Sequence, residues 1–337
     1  MLEFENFRNF DKNLIDEFTY NHPKGNIFQT KVFYSLHENQ PGSSPYGYVV
    51  LDDRQIVGLV VGVIFENYFP PVSYFTRRSV IIGGPLVTNE RTDILEFLIK
   101  NLIVRLKKKC VYVQIRNLFE TKQFLELYQN IGFVYEEHLD IIHDLSQSAD
   151  DFKSGISKNK KGNINKSTNK GTLVREISNL TEFISSIQLI RQTYKKVGLP
   201  LPVDSFFINA FISLSEKGLM KTFGAFLDNK LIGVRMELCY KGLIYDWYAG
   251  SDIDYNSYYP NDLLPYSVIL WGIENGFSNF DFGGAGKPNV PYGVREHKLK
   301  FGGNLVNFGR YELVNQEGIM LFSKFAFKLF KKIKSGK

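Results

Sequence analysis

The sequence predicts an α/β protein made of two tandem copies of one unit, each a mixed, mainly antiparallel sheet flanked by helices. Three observations carry this reading. Two stretches roughly 170 residues apart, "GYVVLDDRQIVGLVVGVIF" (47–65) and "FGAFLDNKLIGVRMELCY" (223–240), both read as strand, polar turn, strand, because β-branched runs flank a pair of turn residues. Each is followed by a further strand ("SYFTRRSVIIGG"; "GLIYDWYAG"), an apolar-periodic helix ("RTDILEFLIKNLIVRLKKK"; "NDLLPYSVILWGIENG") and a short strand ("CVYVQIR"; "NFDFGG"). Each then passes through a glycine-centred segment ("YQNIGFVYEE"; "KLKFGGNLVNF") into a last strand ("DIIHDLS"; "GRYELV"). Opening hairpins followed by a helical crossover require strands of mixed direction.

At 337 residues the chain is long enough to divide, and the repeat puts the boundary near Asp150: a first unit over 1–150, a second over 151–318, and a tail over 319–337. With 44% hydrophobic and 23% charged residues and a net charge of +6, the composition is that of a soluble globular protein with a basic lean. The start, "MLEFENFRNFDKNLIDEF", has no basic head, apolar stretch or cleavage site, and no window nears eighteen uninterrupted apolar residues. Cys110 and Cys239 sit inside apolar runs far apart, which fits a reducing compartment and offers no disulfide framework. The expected location is the cytoplasm.

Two segments carry clustered cations. "KSGISKNKKGNINKSTNKGTLVRE" (153–176) holds six lysines among Asn, Ser and Gly, and reads either as a solvated linker or as a segment that binds phosphates. In the tail, "GIMLFSKFAFKLFKKIKSGK" puts Phe322, Phe325 and Leu329 on one helical face and Lys324, Lys328, Lys331 and Lys332 mostly on another. Such a helix lies on an anionic membrane at the inner face of the plasma membrane, or caps its own domain with the apolar side.

The order "FLELYQNIGFVYEE" resembles the last helix and strand of GNAT acyltransferases. A wider resemblance, over most of the chain, rests on "IFQTKVF", "RSVIIGGPLV", the lysine-rich entry to the second unit, "IYDWYAGSDIDY", "FDFGGAG" and "GVREHKLKFGG". These motifs are similar to those of the Fem-type aminoacyltransferases that build peptidoglycan bridges. The resemblance implies two GNAT-like domains that face each other, an aminoacyl-tRNA donor and an amine acceptor on a cell-envelope precursor of peptidoglycan or surface polysaccharide. No DNA partner and no cofactor are expected. Where relatives carry a lysine two helical turns after the Gln of the first motif, this chain has His37. Arginines of relatives in the segment entering the second unit are here Lys158, Lys160 and Lys161, which keep the charge without the bidentate fork. No heptad run corresponds to the helical arm of some relatives, so the chain resembles the armless type.

Amide formation needs a deprotonated nitrogen, donor and acceptor held together, and groups aimed at the developing oxyanion. The stretch "DFGGAGKPNVPYGVREHKLKFGG" (281–303) is the candidate for this work, with six glycines and clustered charge. Lys298 matches the motif lysine that the resemblance places near the reacting centre. Asp281 ends an apolar strand before Gly283 and Gly284, where backbone can approach a ligand and a carboxylate can serve as base or orienter, or simply cap the turn. Asp246 and Tyr248, two apart in "IYDWYAG", are expected on one face of a strand, with Asp246 either at a cleft or paired with Arg235. The candidate catalytic residues are therefore Lys298, Asp281 and Asp246. Tyr248, Arg235, Gly283, Gly284, Lys287, Lys158, Lys161 and His37 are the candidates for binding substrate. The five histidines lack metal spacing, with His138 and His143 expected on opposite strand faces, and no Ser-His-Asp or Cys-His signature is present. A GNAT pyrophosphate loop is missing at both helix starts, which makes acyl-CoA the second choice of donor. An acyl-CoA-dependent amino-sugar N-acetyltransferase and a non-catalytic module binding anionic glycolipid or RNA are the rival readings.

Overall fold

The computed structural model describes residues 1–66 and 75–320, so the tail residues from Phe322 to Lys332 read as an amphipathic helix lie outside the described residues. The chain forms two compact units, Met1–Glu137 with Phe308 onward, and His138–Asn307. The first unit's sheet runs β1 (Glu3–Asn6), β2 (Ser43–Asp52), β3 (Gln55–Phe65), β4 (Arg78–Ile82), β6 (Tyr112–Arg116), β15 (Arg310–Val314), β7 (Val134–Glu136), with β5 (Leu86–Val87) against β3. The second runs β14 (Asn304–Asn307), β8 (Leu139–Asp144), β13 (Asn279–Asp281), β12 (Leu243–Ser251), β11 (Lys230–Tyr240), β10 (Met220–Leu227), β9 (Leu173–Glu176).

The repeat read from the sequence is present in both sheets. The β2–β3 hairpin closes on Asp53 and Arg54, with φ of 48° and 66°, and the β10–β11 hairpin on Asp228 and Asn229, with φ of 47° and 65°. Two successive positive φ values give the two-residue turn whose twist matches the strands it joins. In each unit a helix then crosses over to a parallel strand: Thr92–Leu106 leads from β4 to β6, and Pro260–Glu274 from β12 to β13. Ile94, Leu95, Leu98, Ile99, Leu102 and Leu106 line the buried stripe of the first helix, each contributing roughly 1.5–3 kcal/mol by leaving water. Leu263, Leu264, Val268 and Ile269 do so on the second.

The closing strands differ from expectation. "DIIHDLS", expected to end the first unit, supplies β8 to the second sheet, between β14 and β13, and "GRYELV", expected to end the second unit, supplies β15 to the first. The division thus falls at Glu137/His138 rather than near Asp150, and again at Asn307/Phe308. Alternation marks a segment as a strand but not whose sheet it joins; packing decides. Ile141 and Leu139 enter the second core, while Tyr311 stacks on Tyr128 at 4.1 Å in the first.

The lysine-rich segment is no linker, since residues Lys158–Asn169 form a helix that buries Ile164 and Lys160. Helix Leu180–Val197 lies so close on β12 that a Cβ at Gly250 would come within 2.7 Å of the Ile190 backbone, which only glycine permits. Both cysteines are buried and free. No described helix is long and apolar enough to cross a membrane.

Candidate active site

Strand β13 is only three residues long, and the chain leaves it as a glycine turn still tied to β8. The Phe282 amide donates to Ile141 O at 3.0 Å and the Ala285 amide to Leu139 O at 2.7 Å. Gly283 and Gly286 have φ of 68° and 77°, conformations that side chains oppose, whereas Gly284 does not need the left-handed region. Arg295 staples the descending loop by donating to the carbonyls of Ala285, Lys287 and Val290 at 3.2, 2.7 and 2.6 Å. Lys287 itself is exposed on that loop.

Lys298 comes from the short helix Gly293–Leu299. Its ammonium donates to Phe282 O at 2.5 Å and to Gly283 O and Gly284 O at 3.2 Å each. All three of its protons are therefore taken up by the turn. It shapes the glycine turn and supplies a fixed positive charge, rather than offering a free N–H. Burial lowers its pKa, against the opposing pull of Asp246, Asp140 and Asp281.

Beneath the turn, Asp281 is 1% exposed and accepts the Gly283 amide at 2.6 Å. Burial, then the neighbouring Asp140 carboxyl that shares a hydrogen bond with it, raises its pKa well above the ordinary value. Two carboxyls so close cannot both ionise, so the pair retains a proton. Asp140 lies on β8, and no motif in the sequence marks it. His143 is buried against Phe280 and Phe282, with its pKa lowered to about 4 by burial, and is a core residue. His138 precedes the strand rather than lying on it.

A second acidic pair shares one guanidinium. Arg235 Nη2 binds Asp246 Oδ2, and its Nε donates to Glu237 Oε1 at 3.2 Å. Asp246 Oδ1 and Glu237 Oε2 are buried without a hydrogen bond. Burial, then Asp246, raises the Glu237 pKa well above the ordinary value. Four carboxyls (Asp140, Glu237, Asp246, Asp281) thus gather with two cations (Arg235, Lys298), and burial favours the protonated forms of Glu237 and Asp281 among them. Such a cluster can hold and exchange protons beside a fixed positive charge.

Tyr248 does not share a face with Asp246. Asp246 lies opposite Glu237 and Tyr248 opposite Met236, so a bulge at Trp247 interrupts the period of two. Tyr248 packs on Phe207 at 4.9 Å and Tyr194 at 5.7 Å. Tyr194 stands within the field of Asp246 and Tyr292, and burial first, then these groups, pushes its pKa up to about 12.

Of the entry lysines, Lys158 and Lys161 are exposed, with Lys161 Nζ donating to Ser154 O at 3.1 Å. Lys160 is buried on Asp262 and His297. His37 belongs to the first unit, where burial against Phe33 and Phe65 lowers its pKa to about 4 and its Nδ1 meets Ser43 Oγ at 3.1 Å. It is packed as a core histidine. The structure therefore brings together Lys298, Asp281, Asp246, Arg235, Gly283 and Gly284. A cavity of ≈ 720 Å³ opens in the first unit beside Phe10, Phe18, His22 and Lys24, lined by none of the sequence-predicted residues. Chemistry, not volume, assigns the candidate site. Among the described residues no group of His, Cys, Asp or Glu could hold a metal ion.

Residues 158–298 match the acetyltransferase (GNAT) domain family, an interval that begins on the lysine helix and ends on Lys298. No curated protein matches the sequence. Among solved structures the chain is similar to FemX, with a TM-score of 0.74 at 15% identity over 95% of this chain and 99% of that one. It is also similar to a tandem GNAT protein from the clavulanic acid biosynthesis pathway (TM-score 0.60, 10% identity, 94% and 99% covered). A third is L-PGS from Bacillus licheniformis (TM-score 0.59, 14% identity, 96% and 97% covered). The chain has a tandem GNAT fold, similar to that of FemX.

Proposed function

We propose that the protein is a Fem-like N-acyltransferase that forms an amide on an amino group of a cell-envelope precursor, with aminoacyl-tRNA as donor and the second unit carrying the chemistry. One observation supports the reading most: Lys298 is fastened by its ammonium to the glycine turn beside the buried carboxyls of Asp281 and Glu237, whose protonated forms burial favours. The fixed ammonium stabilises charge developing on the carbonyl oxygen of the donor. Asp246, with one carboxylate oxygen unbonded, takes the proton from the attacking amine, and the Asp140–Asp281 pair returns a proton to the leaving oxygen. Lys158, Lys161 and Lys287 are exposed cations suited to phosphates of the donor. The work then takes place in the cytoplasm at the inner face of the membrane, where the two substrates meet.

A second reading, acyl-CoA as donor, is favoured by the acetyltransferase family match and opposed by the missing pyrophosphate loop. Incubation with labelled aminoacyl-tRNA and, separately, labelled acetyl-CoA, each with amine acceptors from envelope precursors, decides between them. Amide product from the charged tRNA is the expected result; product from acetyl-CoA alone overturns the donor assignment.

A further inference from the structure

The buried lysine at the start of the basic helix plays no part in the chemistry above, yet it joins three distant segments. Lys160 Nζ donates to Asp262 Oδ1 on helix Pro260–Glu274 and lies 2.9 Å from His297 Nδ1 on helix Gly293–Leu299. Asn163 Nδ2 donates to the other oxygen of Asp262 at 2.7 Å, and the ammonium stands 5.0 Å from the centre of the Phe301 ring. Phe301 is fully buried just past the helix that carries Lys298. We propose that Lys160 is a positioning residue: by clamping Asp262 and His297 it fixes the short helix and so holds Lys298 on the glycine turn. The inference deepens the proposed function, resting on it only for the role given to Lys298.

An ammonium has donors and no acceptor, so His297 Nδ1 must accept and the imidazole is neutral with its proton on Nε2. The groups facing it are Lys160, Asp262 at 3.8 Å from Nε2, Arg235 on β11 and the backbone of Asn261, while Lys300 acts on Lys160. Burial first, then Lys160, holds its pKa down to about 4. Because residues 297 and 298 are consecutive on one helical turn, rotation or fraying that frees the imidazole also lifts Lys298 from its three carbonyls. A lysine that merely bound phosphates would be exposed, as Lys158 and Lys161 are.

The test is Lys160→Met, with two readouts that need no enzymatic turnover. In this variant Asp262 loses its cation and His297, 3.8 Å away, takes up a proton in its place, which keeps the fold balanced. Titration of ¹³C-labelled histidine by NMR is expected to place His297 near 4 in the wild type and at least one pH unit higher in the variant, a shift of about tenfold or more in proton affinity. Acetylation of Lys298 by acetic anhydride, read by mass spectrometry, is expected to speed up roughly tenfold, as for loss of one charged hydrogen bond. The double variant Lys160→Met/Asp262→Asn removes both buried charges and is expected to show the same faster labelling. A wild-type His297 titrating at its ordinary value, or Lys298 labelled at the wild-type rate in both variants, overturns the proposal. Both readouts stand even if the donor assignment fails, and an inactive protein that shows both shifts loses only the functional reading.

Discussion

Lys298→Met removes one ammonium while keeping the length and apolar stem of the side chain, and its consequence follows from three contacts. The lost bonds are those to Phe282 O, Gly283 O and Gly284 O at 2.5, 3.2 and 3.2 Å. Gly284 is exposed, so water replaces the ammonium there, and the net loss of stability is about 1.5–3 kcal/mol, the range for a hydrogen bond to a charged group. The electrostatic effect on the site is larger. One cation instead of two then faces four carboxyls, and the Asp140–Asp281 pair binds its proton more tightly still. Loss of a fixed charge aimed at a developing oxyanion costs about 2.7–4 kcal/mol, or 10²–10³ in turnover. Single-turnover transfer measures this term, and the urea midpoint of the same preparation measures the first. Wild-type turnover in the variant, or a loss of turnover wholly explained by unfolding, refutes the reasoning.

The two protonated carboxyls separate into different outcomes. Glu237→Gln copies the neutral form already held and should keep turnover within about twofold, whereas Asp281→Asn, which also cannot return a proton, should lose it while remaining folded by circular dichroism. Both acids have folded pKa values raised above their unfolded values of 4.5 and 3.8, so stability drains as pH climbs above that range; Glu237→Gln should flatten this alkaline slope in urea titrations between pH 5 and 8. His143 acts in the opposite direction. Its folded pKa of about 4 lies below its unfolded 6.5, so stability is lost as pH falls between them, by up to about 3 kcal/mol, and His143→Phe should remove that acid slope. Gly283→Ala, at φ 68°, should cost about 1–2 kcal/mol in thermal unfolding, while Gly284→Ala, with no positive φ, should cost under half of that.

Much of the fold was legible because duplication leaves the same order of hairpin, crossover helix and parallel strand twice, and each element has its own period. The exchange of closing strands was hidden: "DIIHDLS" and "GRYELV" alternate equally well, and only the cores that receive Ile141 and Tyr311 tell them apart. At the site, Lys298, Asp281 and the glycines were visible through their motif, and the pairing of Asp246 with Arg235 through the cost of a buried charge. Asp140 and Glu237 were not visible, since an acid inside a strand reads like any solvent-facing residue until the neighbouring strands are placed. A bulge at Trp247 defeated the period of two that joined Asp246 to Tyr248. Lys160 was indistinguishable from Lys158 and Lys161 in a run of like charges, although helical spacing turns it inward and them outward.

Transfer of label from aminoacyl-tRNA to an envelope-precursor amine by purified wild-type protein, with Lys298→Met beside it, bears most directly on the assignment of acyl transfer to the second unit. The expected result is an amide product from the wild type, reduced about a hundredfold or more in the variant. Equal product from both proteins, or none from the wild type with any precursor amine, contradicts it.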